Sequence, residues 1–155
     1  MEIRRAGISN IDAILNLLSQ VLEVHAELRP DLFISGKTKY TASELEEIIK
    51  DDRRPVYVAL IDGEVAGYAF CIIKDEAPTN CTHARRELYI DDICVDETMR
   101  GQHIATSIFE YIKLKAVNLG CDMLTLNVWT GNTPAQTFYE NMGMTPRKTM
   151  MEYKL

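Results

Sequence analysis

The residues whose types and spacing could do chemistry are concentrated in Asp91-Asp92-Ile93-Cys94-Val95-Asp96-Glu97-Thr98-Met99-Arg100-Gly101-Gln102-His103-Ile104-Ala105. A strand-like run gives way here to a short loop of Arg, Gly and Gln, which passes straight into a helical pattern. Such a junction aims several free backbone N–H groups at one point, at the positive end of a helix dipole, and so suits an anion such as a phosphate. Ala105, on the first helical turn, keeps no bulk between a ligand and the backbone, and Arg100 can add a charged fork. On these residues alone, an ordinary helix start with an exposed arginine remains the competing reading. Neither G-x-G-x-x-G nor G-x-x-x-x-G-K-[ST] occurs in the chain.

Two carboxylates, Asp91 and Asp92, sit in the strand that feeds this loop. Strict alternation groups Tyr89, Asp91, Ile93 and Val95 on one face and Ile90, Asp92 and Cys94 on the other. Cys81-x-His83 and the remaining histidines lack the spacing of a four-ligand zinc site, so no metal is expected.

The elements that must hold these residues follow from periodicity. Glu2 to Ala6 reads as a short strand. Ser9-Asn10-Ile11-Asp12 then starts an amphipathic helix with Ile11, Ile14, Leu17, Leu18, Val21 and Leu22 at helical spacing. That helix is expected to fray from His25 towards Phe33, with Pro30 turning Arg29 out of the helical region. Thr41 to Ile49 forms a second helix behind Thr41-Ala42-Ser43-Glu44. Pro55–Ile61 and Glu64–Lys74 make a hairpin about Asp62-Gly63. Arg86–Val95 is a third strand-like run, and His103–Leu119 a helix ended by Gly120. Asp122–Trp129 is β-rich, Thr133–Met142 helical up to Gly143, and the alternating Met151, Tyr153 and Leu155 read as a last strand. The class is α/β, with antiparallel hairpins first and a βαβ-like unit after. No repeat, linker or composition shift divides the chain, so residues 1–155 are read as a single domain.

The charge balance, 17 Lys and Arg against 23 Asp and Glu, gives a net charge of −6. It argues against nucleic acid, which needs a basic surface, and weakly favours cationic partners such as amines. The longest apolar stretch, Val65 to Ile73, is too short to span a bilayer, so no membrane partner is expected. Four cysteines without a C-x-x-C pair fit a reduced, cytoplasmic protein.

The stretch Arg100-Gly101-Gln102-His103-Ile104-Ala105 resembles the Q/R-x-x-G-x-G/A pyrophosphate loop of the GNAT superfamily of N-acetyltransferases. Asn127-Val128-Trp129-Thr130-Gly131-Asn132-Thr133-Pro134-Ala135-Gln136-Thr137-Phe138-Tyr139-Glu140-Asn141-Met142-Gly143-Met144 is similar to its N-x-x-A-x-x-(F/L)-Y-E-x-x-G-F segment. Two motifs in the right order are far more specific than either alone, and the order of elements before them agrees. Two positions depart from the pattern: His103 stands at the family's central glycine, and Met144 where Phe is common.

The resemblance implies a GNAT-like mixed sheet with helices on both faces, and transfer of an acetyl group from acetyl-CoA directly to a primary amine of a small molecule or peptide. It implies that the backbone of Ile93, Cys94 and Val95 pairs with the pantetheine arm. Arg100, Gly101, Gln102, His103, Ile104, Ala105 and Thr106 would hold the pyrophosphate, with Asn132 and Ala135 contributing from the far side. A strand whose neighbour splays away leaves amides that need such a partner. Tyr139 matches the family's tyrosine near the thioester sulfur, where a phenol of pKa about 10 can protonate or hydrogen-bond the leaving thiolate. Asp91 is the candidate base or ammonium ligand, with water as the alternative proton acceptor. Asn127 stands where some members carry a catalytic Glu. Glu23, His25 and Glu27, between the first two helices, are candidate amine contacts. A nucleophilic Cys94 with Asp92 and His103 is disfavoured, because Cys94 and Asp92 would share the face opposite the implied site. The reading from another class is a non-catalytic acyl-CoA sensor on the same fold, and a homodimer stays open.

Overall fold

The computed structural model describes residues 1–155. Its strands are β1 (Glu2–Arg5), β2 (Val56–Ile61), β3 (Glu64–Glu76), β4 (Arg85–Val95) and β5 (Met123–Leu126). Its α-helices are α1 (Ile11–Leu28), α2 (Ala42–Lys50), α3 (Ile104–Asn118) and α4 (Thr133–Asn141). The strands form one sheet in chain order, antiparallel throughout except for the parallel pair β4 and β5. The mixed α/β architecture expected from the sequence is therefore the one observed.

Each face of the sheet is covered by a different helix set. Ile14, Leu17 and Leu18 of α1 and Leu45 and Ile48 of α2 pack on Val56, Val58, Tyr68 and Phe70. Ile104, Ile108, Phe109 and Ile112 of α3 pack on Ala59, Ala69, Leu88 and Ile90. Burying each such aliphatic side chain stabilises the fold by roughly 1.5–3 kcal/mol, so the strands between the two layers are held firmly. The predicted capping box of α2 is present: Thr41 Oγ1 accepts from Glu44 N, and the Glu44 carboxylate accepts from Thr41 N. The hairpin turn Asp62-Gly63 has positive φ at both residues, the condition of a two-residue turn that matches strand twist.

Three elements differ from the sequence expectation by more than two residues. The first helix does not fray at His25 but runs to Leu28, because Glu27 and Leu28 are good helix formers and Ala26 is buried; it stops at Arg29, which is not helical and precedes Pro30. The strand expected over Asp122–Trp129 shrinks to Met123–Leu126. The tail from Met144 forms no strand, and Met151, Tyr153 and Leu155 stay exposed. Alternation makes a strand only where an apolar surface receives one face. The tail is tied down instead by ion pairs, Glu152 to Arg29 at 2.9 Å and Lys154 to Asp31 at 2.9 Å.

Candidate active site

The site arises where β4 loses a neighbour. Its register with β5 ends at the pair Ile90↔Leu126, whereas its register with β3 continues to Val95↔Gly67. Asp96 N donates to Ala66 O across β3 at 2.9 Å. Because successive amides along a strand point to opposite sides, the N–H groups of Ile93 and Val95 face the edge that β5 has vacated. Beyond this edge Gly101 and His103 both take positive φ, 78° and 59°, which folds the chain sharply into α3. A cleft of about 270 Å³ opens between the edge and the helix start. It is lined by Val95, Met99, Arg100, Gly101, His103, Ile104, Ala105, Thr106 and Phe138.

The cleft is what a flexible, amide-containing chain ending in phosphates requires: a strand edge at one end, and helical N–H groups with a guanidinium at the other. The Arg100 guanidinium lies beside the edge, with Nε making a long contact of 3.5 Å to Val95 O. Eight of the expected binding positions thus fall on one edge and loop, namely Ile93, Val95, Arg100, Gly101, His103, Ile104, Ala105 and Thr106. Gln102 is exposed and outside the lining. Asn132 caps α4, its Oδ1 accepting from Ala135 N at 3.2 Å. Cys94 points into the α1 layer, with Sγ 3.5 Å from Leu17 O, and burial pushes its thiol up to about 12. That makes it a poor nucleophile. A larger hollow of about 440 Å³ against α2 is lined by three carboxylates, Glu44, Glu47 and Asp51, against one guanidinium, Arg54, a charge balance that disfavours a phosphate.

The carboxylate arrangement overturns the strict alternation expected for β4. Phe70 pairs with Asp92 and Cys71 pairs with Ile90, which leaves Asp91 without a partner on β3: it is a β-bulge. The extra residue resets the parity. Ile90 and Ile93, three apart, both face α3. Asp91 and Asp92 between them both face the α1 side, where Asp92 meets Tyr68 and Asp91 meets Lys39. Tyr68 Oη donates to Asp92 Oδ2 at 2.8 Å, and Lys39 Nζ lies 2.7 Å from Asp91 Oδ2. Burial holds the Asp92 carboxyl above the usual carboxylate range despite the Tyr68 hydrogen bond and nearby Lys39 and His25. Burial opposes the charge on Lys39, but the Asp91 carboxylate more than offsets it and raises the ammonium pKa.

Tyr139, on α4, packs against Phe138 and Phe109 at ring-centroid distances of 5.1 and 6.2 Å. Burial pushes its phenol well above the ordinary value, and the negative charge of Asp92 pushes it further.

The α1–α2 connection closes this side of the site. Phe33 stacks edge-on against Trp129 at 5.5 Å, and the Arg29 guanidinium lies over the same indole at 5.5 Å. Glu23 accepts from Ser35 Oγ and Gly36 N, both at 2.6 Å, so its carboxylate is engaged in holding the connection and is kept below its usual pKa. His25 stacks on Phe33 at 5.2 Å. Asn127 Nδ2 donates to Tyr89 Oη at 3.0 Å. Lys39 and Tyr68 carried no sequence signal of their own: one lies in an unpatterned loop and the other in an apolar strand.

The profile of the Acetyltransferase (GNAT) family matches residues 21–144, which include the splayed strands, the loop and α4. The chain belongs to the GNAT acetyltransferase family. Within a 65-residue stretch it is 34% identical to N-alpha-acetyltransferase 30 of Dictyostelium discoideum, covering 42% of this chain and 35% of that protein, so it spans about a third of the relative's length. A tetramutant of the BH1408 protein from Bacillus halodurans shares the fold with a TM-score of 0.95 at 29% identity, over 100% of both chains. The aminoglycoside N-acetyltransferase AAC(6')-Iy, crystallised in complex with CoA, superposes with a TM-score of 0.68 at 19% identity, over 99% of this chain and 98% of that one. At that identity the second structure speaks for the GNAT fold alone. No helix in this GNAT chain is long and apolar enough to cross a membrane.

Proposed function

We propose that this chain, working as one domain over residues 1–155, transfers the acetyl group of acetyl-CoA directly to a primary amine. The observation that carries the reading is the vacated edge of β4, running from the Asp91 bulge to the Arg100–Thr106 loop. Ile93 and Val95 would pair with the amides of the pantetheine arm. The N–H groups from Arg100 to Thr106, together with the Arg100 guanidinium, would hold the pyrophosphate. Ala105 leaves room for it. The donor supplies an activated acyl carbon, and the chain supplies position and protons.

An amine acceptor arrives as an ammonium and must lose a proton before it attacks. The bulge puts two carboxylates side by side for this purpose. Asp91 balances the ammonium charge. Asp92, whose raised pKa brings its proton affinity closer to neutrality than a free carboxylate's, takes the proton. Tyr139 keeps its proton at neutral pH and donates it towards the departing sulfur.

The test is turnover, read as thiol release, across amines, polyamines, aminoglycosides and peptides, with Tyr139→Phe measured beside the wild type. The variant should bind CoA with unchanged affinity and lose about 10²-fold in kcat, the usual worth of a positioned acid. CoA binding with no turnover on any amine would instead make the chain an acyl-CoA sensor.

A further inference from the structure

We propose that Lys39 is an acceptor of this chain's own acetyl transfer, a self-modification site built into the α1–α2 connection. The inference deepens the transferase reading and rests on it.

Lys39 presents a primary amine to Asp91, the carboxylate that the proposed function gives to the acceptor ammonium. Its Nζ lies 2.7 Å from Asp91 Oδ2, at the bulge where β4 parts from β5. The neighbouring Asp92 carboxylate is fixed by Tyr68 Oη at 2.8 Å. The Lys39 side chain is 41% exposed, and its Nζ stands 5.4 Å from the centre of the adjacent Tyr40 ring. The loop that carries it is pinned at both ends. Phe33 and Arg29 engage Trp129, and Thr41 caps α2. The ammonium is therefore tethered close to the proposed chemistry, and tethering converts a two-body encounter into an intramolecular one. Lys37, two residues away in the same loop, has no such ion pair and serves as an internal control.

The step balances. Lys39 Nζ gives one ammonium proton to the Asp91–Asp92 pair and attacks the thioester carbonyl carbon. A C–N bond forms and the C–S bond breaks, with the electron pair leaving on sulfur. The sulfur takes a proton from Tyr139, which recovers one from the nitrogen. The products are Nε-acetyl-Lys39, the free CoA thiol and one proton released from the carboxylates. The amide is neutral and no longer pairs with Asp91.

The full-length protein is incubated with acetyl-CoA, and acetylation of each lysine is followed over time by peptide mass spectrometry. In parallel, CoA binding is measured by calorimetry and small-amine turnover by thiol release. Lys39 should be acetylated at least about tenfold faster than the mean of the other seven lysines. The rate should not change with protein concentration and should fall at least about tenfold in Tyr139→Phe. Lys39→Arg, which keeps the charge facing Asp91, should lose the +42 Da peptide and bind CoA with the wild-type affinity. If Lys39 reacts no faster than the other lysines while small amines are turned over, the self-modification is wrong and the transferase reading stands. If no CoA binds, both fall. A fast Lys39 unaffected by Tyr139→Phe would mark simple chemical reactivity and overturn the proposal.

Discussion

The two halves of β4 differ in one respect, and the difference teaches where function is placed on this fold. From Glu87 to Ile90 the strand is bonded on both sides, to β3 and to β5. From Asp91 to Val95 it has no partner on the β5 side, and Asp91 itself pairs with neither neighbour. The first half has Leu88 and Ile90 buried at 0% and 2% exposure and contributes packing. The second half is partly exposed, carries two adjacent carboxylates on one face and faces an open cleft. A single extra residue, Asp91, separates them. The proposed function uses the half whose backbone is left incomplete, and the complete half holds that half in place.

The comparison can be broken at several points. The largest effect is expected on the open half. Ala105→Glu puts a carboxylate at the proposed phosphate end of the cleft and should weaken CoA binding at least about 100-fold, or about 2.7 kcal/mol. The fold should be unharmed, since an acidic residue suits the start of a helix. Calorimetry and a melting curve check the two claims separately.

The closed side is tested at Gly67, opposite Val95. A Cβ there would lie 2.8 Å from Cys94 O, 3.1 Å from Ile108 Cδ1 and 3.3 Å from Val95 Cγ2. Gly67→Ala should cost about 1–3 kcal/mol as an overpacked contact. For a chain of this size that lowers Tm by roughly 2–4 °C per kcal/mol, measurable by calorimetry.

A smaller effect of opposite sign is expected at Asp92. Its folded pKa is raised, so the native state holds this proton more tightly than the unfolded chain does. The stability it contributes is complete below the ordinary carboxylate pKa and is lost as pH rises through the raised value. Asp92→Asn lacks that loss. It should gain about 1 kcal/mol at neutral pH while losing activity, the usual trade at a working site. Urea unfolding at several pH values checks the sign, and the variant's pH–rate profile should lose its acid limb.

Much of this is legible in the sequence. The hairpins, the α3 start, the Arg100–Thr106 loop and the capping box of α2 each rest on local signals: alternation, a Gly turn, a Thr-x-x-Glu pair. The bulge at Asp91 did not, because a bulge is a mismatch between two strands and leaves no mark on one of them. It turned Asp92 from the opposite face to the same face as Asp91. The tail failed for a related reason. Met151, Tyr153 and Leu155 alternate as a strand would, yet no apolar partner meets them. Lys39 reaches Asp91 across 52 residues, a contact only the folded chain defines. His103 is the converse case: its φ of 59° shows why the family's pattern has glycine there, since the left-handed region costs other residues about 1–2 kcal/mol.

The most direct measurement is amide hydrogen exchange, residue by residue, with and without CoA. The N–H groups of Ile93 and Val95 should exchange fast in the free protein and slow by at least about tenfold when CoA is bound, as a new hydrogen-bond partner requires. Those of Leu88 and Ile90 should change little. Unaltered exchange at Ile93 and Val95 under saturating CoA would contradict the claim that the vacated edge of β4 holds the donor.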